Sequence, residues 1–266
     1  MSLYSQDALL GKHALITGAT GGIGYETALV LASMGASLTI TGRREKKLNE
    51  LKDQITSRYP ESTIFSYVAD LAEASEREAL LKNAEQANGH ISLLVNSAGT
   101  LGGDTVEKLT QEELEHVMHL NYTVPILLSQ AVYEKMKQKR DGAIVNVSSL
   151  SGLRGTYGGT AYCGSKFALI GFTQAFALEA IEHGVRVNAV CPGYVDTAMG
   201  RQAIRTKGER EGRSFAEQFA LAAQGLPSGR ITTPIEVANT IAYLLSDAAS
   251  NIVGESVKIS GGSVMR

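Results

Sequence analysis

A basic surplus, paired cysteines and long apolar stretches are all missing from this sequence, and each absence removes a class of function. Lys and Arg number 25 against 27 Asp and Glu, a formal net charge of -2 at pH 7, so no cationic excess is offered to the phosphates of nucleic acid. There are two cysteines, Cys163 and Cys191. Far apart and outside any CxxC spacing, they suggest neither a disulfide framework nor a zinc site and read as small buried hydrophobes. No run approaches the roughly 20 apolar residues that span a bilayer, and Met1 to Leu10 do not join a basic segment to an apolar one. The chain is therefore read as cytoplasmic, with no membrane partner. No Pro- or Ser-rich linker, fixed-period repeat or low-complexity tract interrupts it, so one domain over residues 1–266 is expected.

What is present is a regular alternation. Short apolar, β-branched runs at His13–Thr17, Ser37–Thr41, Thr63–Val68, Ser92–Val95, Ala143–Ser148, Arg186–Val190 and Glu255–Ile259 read as strands. Helical periodicity at Ile23–Met34, Lys46–Arg58, Ser75–Asn88, Gln111–Lys139, Ala161–His183 and Pro234–Leu245 separates most of them. The runs are continuous and not alternating, as expected of strands covered on both faces. The pattern predicts an α/β Rossmann fold: a doubly wound parallel sheet of seven strands with helices on both faces. In such sheets ligands sit beyond the carboxyl ends of the strands.

The first strand runs into Thr17-Gly18-Ala19-Thr20-Gly21-Gly22-Ile23-Gly24 and then a helix, the context a dinucleotide-binding loop requires. Gly18 permits the turn, while Gly22 and Gly24 lack side chains where backbone must approach a pyrophosphate and helix must pack on strand. Thr20 and Ile23 belong to the same candidate loop. A Walker-type triphosphate loop is disfavoured because no Gly-Lys-Ser/Thr follows. At the end of the second strand, where NAD sites usually offer a carboxylate to the ribose 2′-OH, the chain has Gly42-Arg43-Arg44. Arginine pairs with a 2′-phosphate, so NADP(H) is preferred and NAD(H) remains open.

Tyr162 and Lys166 are four residues apart and project from one helical face, and a neighbouring ammonium favours the phenolate. Ser149 closes the fifth strand thirteen residues before Tyr162, at the same edge of the sheet. Taken with the glycine loop, Asn96-Ser97-Ala98-Gly99 and Tyr162-Cys163-Gly164-Ser165-Lys166, the chain resembles the short-chain dehydrogenase/reductase family over most of its length. TGATGGIG matches that family's TGxxxGxG and Tyr162–Lys166 its YxxxK; Ser97 and Gly164 depart mildly from its usual Asn and Ala.

The resemblance implies a small-molecule carbonyl or secondary-alcohol substrate, with Tyr162 as acid/base and Ser149 holding the substrate oxygen. Lys166 would hold the nicotinamide ribose and lower the tyrosine pKa, and Asn121 would keep a water in the proton relay behind the lysine. It further implies that Asp70, with Leu71, meets the adenine. Asn96, Ala98 and Gly99 would shape the ribose passage, and Pro192, Gly193, Val195 and Thr197 would grip the carboxamide. The residues between Tyr194 and Arg230 look like an inserted lid. There Phe215, Phe219 and Leu221 could cover an apolar chain and Arg201 or Arg205 could meet a phosphopantetheine phosphate, as in 3-oxoacyl-thioester and polyketide ketoreductases. A homotetramer built through the two long helices and Gly261–Arg266 is also implied.

Three alternatives compete. Glu112, Glu115, His116 and His119 have spacing compatible with metal ligation, but sit far in sequence from the catalytic motifs and are read as a solvated or subunit-facing surface, with no metal expected. A sugar or polyol dehydrogenase of the same family would use the same machinery. An NADP(H) sensor without turnover would share the fold, but the intact Ser149, Tyr162 and Lys166 favour an enzyme.

Overall fold

The computed structural model describes residues 4–102 and 104–265; Met1–Leu3 and Arg266, the outer ends of two segments considered above, lie outside these. The strands are β1 (His13–Ile16), β2 (Ser37–Gly42), β3 (Ile64–Val68), β4 (Leu93–Asn96), β5 (Gly142–Val147), β6 (Val185–Pro192) and β7 (Ser256–Ile259). Among the described residues they form one seven-stranded sheet in the order β3-β2-β1-β4-β5-β6-β7, parallel throughout. Sequence order reverses between β1 and β4, which opens a crevice at their carboxyl ends.

Helices α1 (Gly22–Ser33), α2 (Glu45–Arg58), α3 (Ala74–Asn88), α4 (Gln111–Met118), α5 (Val124–Lys139), α6 (Thr160–Ile181), α7 (Ala198–Arg210), α8 (Phe215–Gln224) and α9 (Pro234–Leu245) follow the strands. The core is split by the sheet: Ala14 and Ile16 pack with α1 and α9, while Leu15 and Ile144 pack with α3, α5 and α6. Burial on both faces explains the uninterrupted apolar runs, since polar residues there would lose water without gaining partners.

The single helix expected over Gln111–Lys139 is instead α4 and α5 joined by a π-helical turn, His119–Thr123. Pro125, with no N–H to donate, stands in the first turn of α5. Residues 194–230, expected as an irregular insertion, contain α7 and α8. Helix α8 opens with a capping box between Ser214 and Glu217, and the rings of Phe215 and Phe219 pack tilted at 49° with centroids 5.6 Å apart.

The amino-end rim of the sheet is tied by polar groups. His13 is 2% exposed, its Nε2 meeting Thr39 Oγ1 at 2.8 Å and Nδ1 the Gly89 carbonyl at 2.9 Å. Arg186, 8% exposed, donates to the carbonyls of Leu244 (2.5 Å), Leu245 (3.2 Å), Ser246 (3.0 Å) and Ala249 (3.2 Å). It thereby closes the carboxyl end of α9, where backbone carbonyls have no helical partner.

Candidate active site

At the exit of β1 the chain turns through Gly18, at φ +64°, a left-handed conformation that costs glycine nothing. A Cβ at this position would lie 2.7 Å from the Ala98 amide nitrogen. One at Gly24 would fall 2.5 Å from the Gly18 carbonyl oxygen, and one at Gly22 would fall 2.5 Å from Thr197 Cγ2. The glycines thus let the loop fold on itself and let the segment after β6 lie against it. Gly21, the N-cap of α1, brings no side-chain bond to the first-turn amides of Gly22, Ile23 and Gly24. Those donors and the positive end of the helix suit a phosphate, so the loop fits a dinucleotide pyrophosphate.

Arg44 caps α2 and its Nη2 donates to the Thr20 carbonyl at 2.5 Å, joining the second strand's exit to the glycine loop. Arg43 is exposed beside it and, among the described residues, has no side-chain partner. Asp70 accepts the Ala72 amide at 3.0 Å through Oδ1, leaving its second oxygen for an incoming donor, and Leu71 is buried beside it. The Asn96 side chain turns into the core, donating to Asn146 Oδ1 at 2.8 Å and Ser129 Oγ at 3.1 Å. The ribose passage expected of Asn96, Ala98 and Gly99 therefore offers only backbone at Asn96. The amides of Ser97 and Ala98 are held by Thr17 Oγ1 at 3.0 and 3.1 Å.

Ser149, Tyr162 and Lys166 meet at the exits of β5 and β6. Ser149 Oγ accepts from the Ser151 amide at 3.1 Å and reaches the Pro192 carbonyl at 3.5 Å; Gly193 is fixed by its amide donating to the Ile259 carbonyl at 3.0 Å. Tyr162, in the first turn of α6, is close enough to the Ser149 side chain to be influenced by it. Burial pushes its phenol above the ordinary value and Ser149 partly offsets this. The lowering expected from Lys166 is not seen in this geometry. Its Nζ lies 5.7 Å from the Tyr162 ring centroid and donates to the Val147 carbonyl at 2.8 Å. Only 5% exposed, Lys166 is itself pulled down to about 8 by burial.

That value sets a pH dependence. Below about pH 8 Lys166 carries its charge and above it the ammonium is lost. A step that needs the cation is fully supported on the acid side and weakens as pH rises. In steady-state assays kcat/KM for carbonyl reduction should fall above an apparent pKa near 8, approaching tenfold per pH unit. A profile flat to pH 10 would rule the charge out.

Asn121 is fully buried within the π-turn. Its amide is spent on the Thr100 backbone, accepting the N–H at 2.8 Å and donating to the carbonyl at 2.9 Å, and on Ser165 Oγ at 3.1 Å. A Cβ at Gly99 would stand 3.0 Å from Asn121 Oδ1 and 3.8 Å from Lys166 Nζ, so the absent side chain opens this corner. Thr197 caps α7 by accepting the Gly200 amide at 3.0 Å, and Val195 is buried in a bridge to Thr232. Arg201 and Arg205 do not stand free for a phosphate. Arg201 is bonded to Asp196 at 2.5 Å and lies over Phe219, and Arg205 lies over Phe215.

The family model described as short chain dehydrogenase matches residues 12–208. The chain belongs to the short-chain dehydrogenase/reductase family. As a member it is an oxidoreductase acting on CH–OH or carbonyl groups with a nicotinamide cofactor. It is 33% identical over 257 residues to the 3-oxoacyl-[acyl-carrier-protein] reductase FabG of Rickettsia felis, covering 97% of this chain and 98% of that one. It is 34% identical over 258 residues to the oxidoreductase UcpA of Salmonella typhimurium, covering 97% and 96%. Among solved structures, levodione reductase superposes with a TM-score of 0.90 at 30% identity, covering 96% of this chain and 98% of that one. An actinorhodin polyketide ketoreductase variant with NADPH gives 0.91 at 31%, covering 95% and 97%.

Within this dehydrogenase, sequence reasoning missed the residues that brace the site from behind. Thr17 clamps the β4 exit. Asn146 relays from Asn96 to Thr173 Oγ1 at 2.9 Å, tying β4 and β5 to α6. Ser148 Oγ donates to the Lys166 carbonyl at 3.1 Å. The signal available for them was a polar residue inside an apolar strand, which must find a partner when buried.

Proposed function

We propose that the chain is an NADP(H)-dependent carbonyl reductase of the 3-oxoacyl-thioester type, a single-domain cytoplasmic enzyme whose residues 194–230 serve as substrate lid. The observation that carries the cofactor choice is the cationic exit of β2: Arg43 free among the described residues, Arg44 braced on the Thr20 carbonyl, and no carboxylate at the end of the strand itself. The substrate class draws support from the names of the relatives and from the solved ketoreductase with NADPH.

A nicotinamide, when bound, would supply the hydride that reduces the carbonyl carbon. Tyr162 gives its hydroxyl proton to the carbonyl oxygen while Ser149 Oγ donates a second hydrogen bond to the same atom, and both stabilise charge developing on it. Lys166, one ammonium proton committed to Val147, has two left for ribose hydroxyls. Asn121, its amide already spent, would hold a relay water through the backbone of the π-turn. Exposed Leu127, Phe167, Leu178 and Ile181 on α5 and α6 favour a homotetramer.

NADPH and NADH oxidation measured against acetoacetyl thioesters, diketones and keto-sugars tests this reading. NADPH should be favoured, and Arg43→Ala should cut that preference roughly 10- to 100-fold, the worth of a charge-assisted bond. A preference for NADH in the unaltered enzyme would reverse the cofactor assignment. Turnover confined to keto-sugars would move the substrate to the sugar class.

A further inference from the structure

Cationic side chains stand near both segments that lead out from Ser149, Tyr162 and Lys166, and one of them, Arg154, is unpaired among the described residues. After Ser149 the chain makes a short 3-10 turn at Leu150–Gly152 that presses on α6: a Cβ at Gly152 would lie 2.7 Å from the Lys166 carbonyl oxygen. Arg154 follows after Leu153, its amide bonded to the Leu150 carbonyl at 3.1 Å. Its guanidinium is exposed and has no hydrogen-bond, ion-pair or ring partner among the described residues. After Pro192, whose carbonyl faces Ser149 Oγ, comes Gly193 and then the half-buried Tyr194. Burial pushes the Tyr194 phenol up; Arg154 and Arg210 both lie close enough to draw it down, and Glu211 acts against them more weakly.

Arg210 reaches this place from the end of α7. Its guanidinium lies 4.5 Å from the ring centroid of Tyr157 in the loop after β5, and Nη1 stands 3.0 Å from where a Gly158 Cβ would be. Tyr157 is 70% exposed and gains no core burial by holding this position, so the cation–π contact is what joins the loop to α7. The carboxylate nearest the group is Glu211, 3.9 Å from Arg210, but it is shared with Lys207 at 4.0 Å and bonded to Arg213. Asp104, also within the field of Arg210, is bonded to Lys108 at 3.2 Å. Positive charge therefore exceeds negative charge at the mouth, and it is Arg154 that is left free.

We infer that the substrate carries an anionic group remote from its reacting carbonyl, held at the mouth of the cleft by Arg154 with Arg210 behind it. The inference rests on the reductase reading and narrows its substrate. A carboxylate and a phosphate share the required chemistry, each presenting oxygen pairs that match a guanidinium fork. Tyr194, two residues after the Pro192 carbonyl that Ser149 Oγ reaches, feels both arginines and would stand beside the bound anion.

The test compares kcat/KM for matched pairs that differ in charge and keep the carbonyl. Acetoacetate and 5-oxohexanoate are set against their methyl esters, and acetoacetyl-coenzyme A against the acetoacetyl thioester of N-acetylcysteamine. The anion of at least one pair should be preferred, and the pair that shows it separates carboxylate from phosphate. Arg154→Ala should lower the anion-to-neutral ratio roughly 10- to 100-fold, mainly through KM, and Arg154→Lys should restore part of it. Because Arg154 is exposed and unbonded, its replacement does not threaten folding, and circular dichroism checks this. Equal use of both members of every pair, or a preference that survives Arg154→Ala and Arg210→Met, overturns the inference. Absence of turnover on the neutral esters and thioester as well would instead remove the reductase reading, and the inference with it.

Discussion

Tyr162→Phe should lower kcat for carbonyl reduction by about 10²- to 10⁴-fold, the range ascribed to a positioned general acid, while the dissociation constant for NADPH moves little. The phenol carries a transferable proton beside the Ser149 side chain, and the change deletes it with the ring's packing intact. Burial strengthens the expectation. A phenol held above its ordinary pKa stays protonated through the neutral range, the form that reduction consumes. Fluorescence titration with NADPH and steady-state turnover on one preparation separate the two effects. Turnover within a factor of ten of the unaltered enzyme would remove Tyr162 as proton donor.

The largest stability effect is expected far from the chemistry. Arg186→Met keeps most of the side chain's packing but removes the guanidinium from the Leu244 and Leu245 carbonyls at the end of α9 and leaves those of Ser246 and Ala249 with one backbone donor each. Breaking a buried charge-assisted network costs about 3–5 kcal/mol, which for a chain of this size corresponds to a fall in Tm of roughly 10 °C. The contacts of Arg186 lie at the opposite rim from Ser149, so kcat measured well below the melting transition should stay near that of the parent. Differential scanning calorimetry on both proteins decides it: a Tm within 2–3 °C of the parent would mean that water replaces the guanidinium without penalty.

Residues that act through local pattern were legible, and those that act through distant partners were not. The strands agreed to within a residue or two because parallel strands buried on both faces must be apolar throughout. Pro234–Leu245 was read to the residue, since Pro sits at its first position and the apolar stripe is wide. Helix α7 was missed because Ile204 and Gly208 are its only buried residues, too few to mark a period among its four cationic residues. The π-turn around Asn121 had no signature beyond Pro125. At the site, Ser149, Tyr162 and Lys166 were recognisable as a set, whereas the turn of Asn96 into the core depends on Asn146, fifty residues away. The charge on Lys166 was foreseen as a tool acting on Tyr162. Its own desolvation was not, because burial is a property of the assembled fold.

The parallel sheet also sorts the chain by what evolution can alter. With every strand pointing the same way, the carboxyl rim collects the glycine loop, Ser149, Tyr162, Lys166 and the segments that carry Arg154 and Tyr194, while the opposite rim collects His13, Arg186 and the ion pair of Lys12 with Asp141. Libraries that randomise Arg154, Tyr157, Tyr194 and Arg210 therefore sample new selectivities at little cost in yield of folded protein. Changes at the far rim spend thermodynamic margin and return no new chemistry, so a lineage diversifying its substrates should drift fast along one edge of the sheet and stay nearly still along the other.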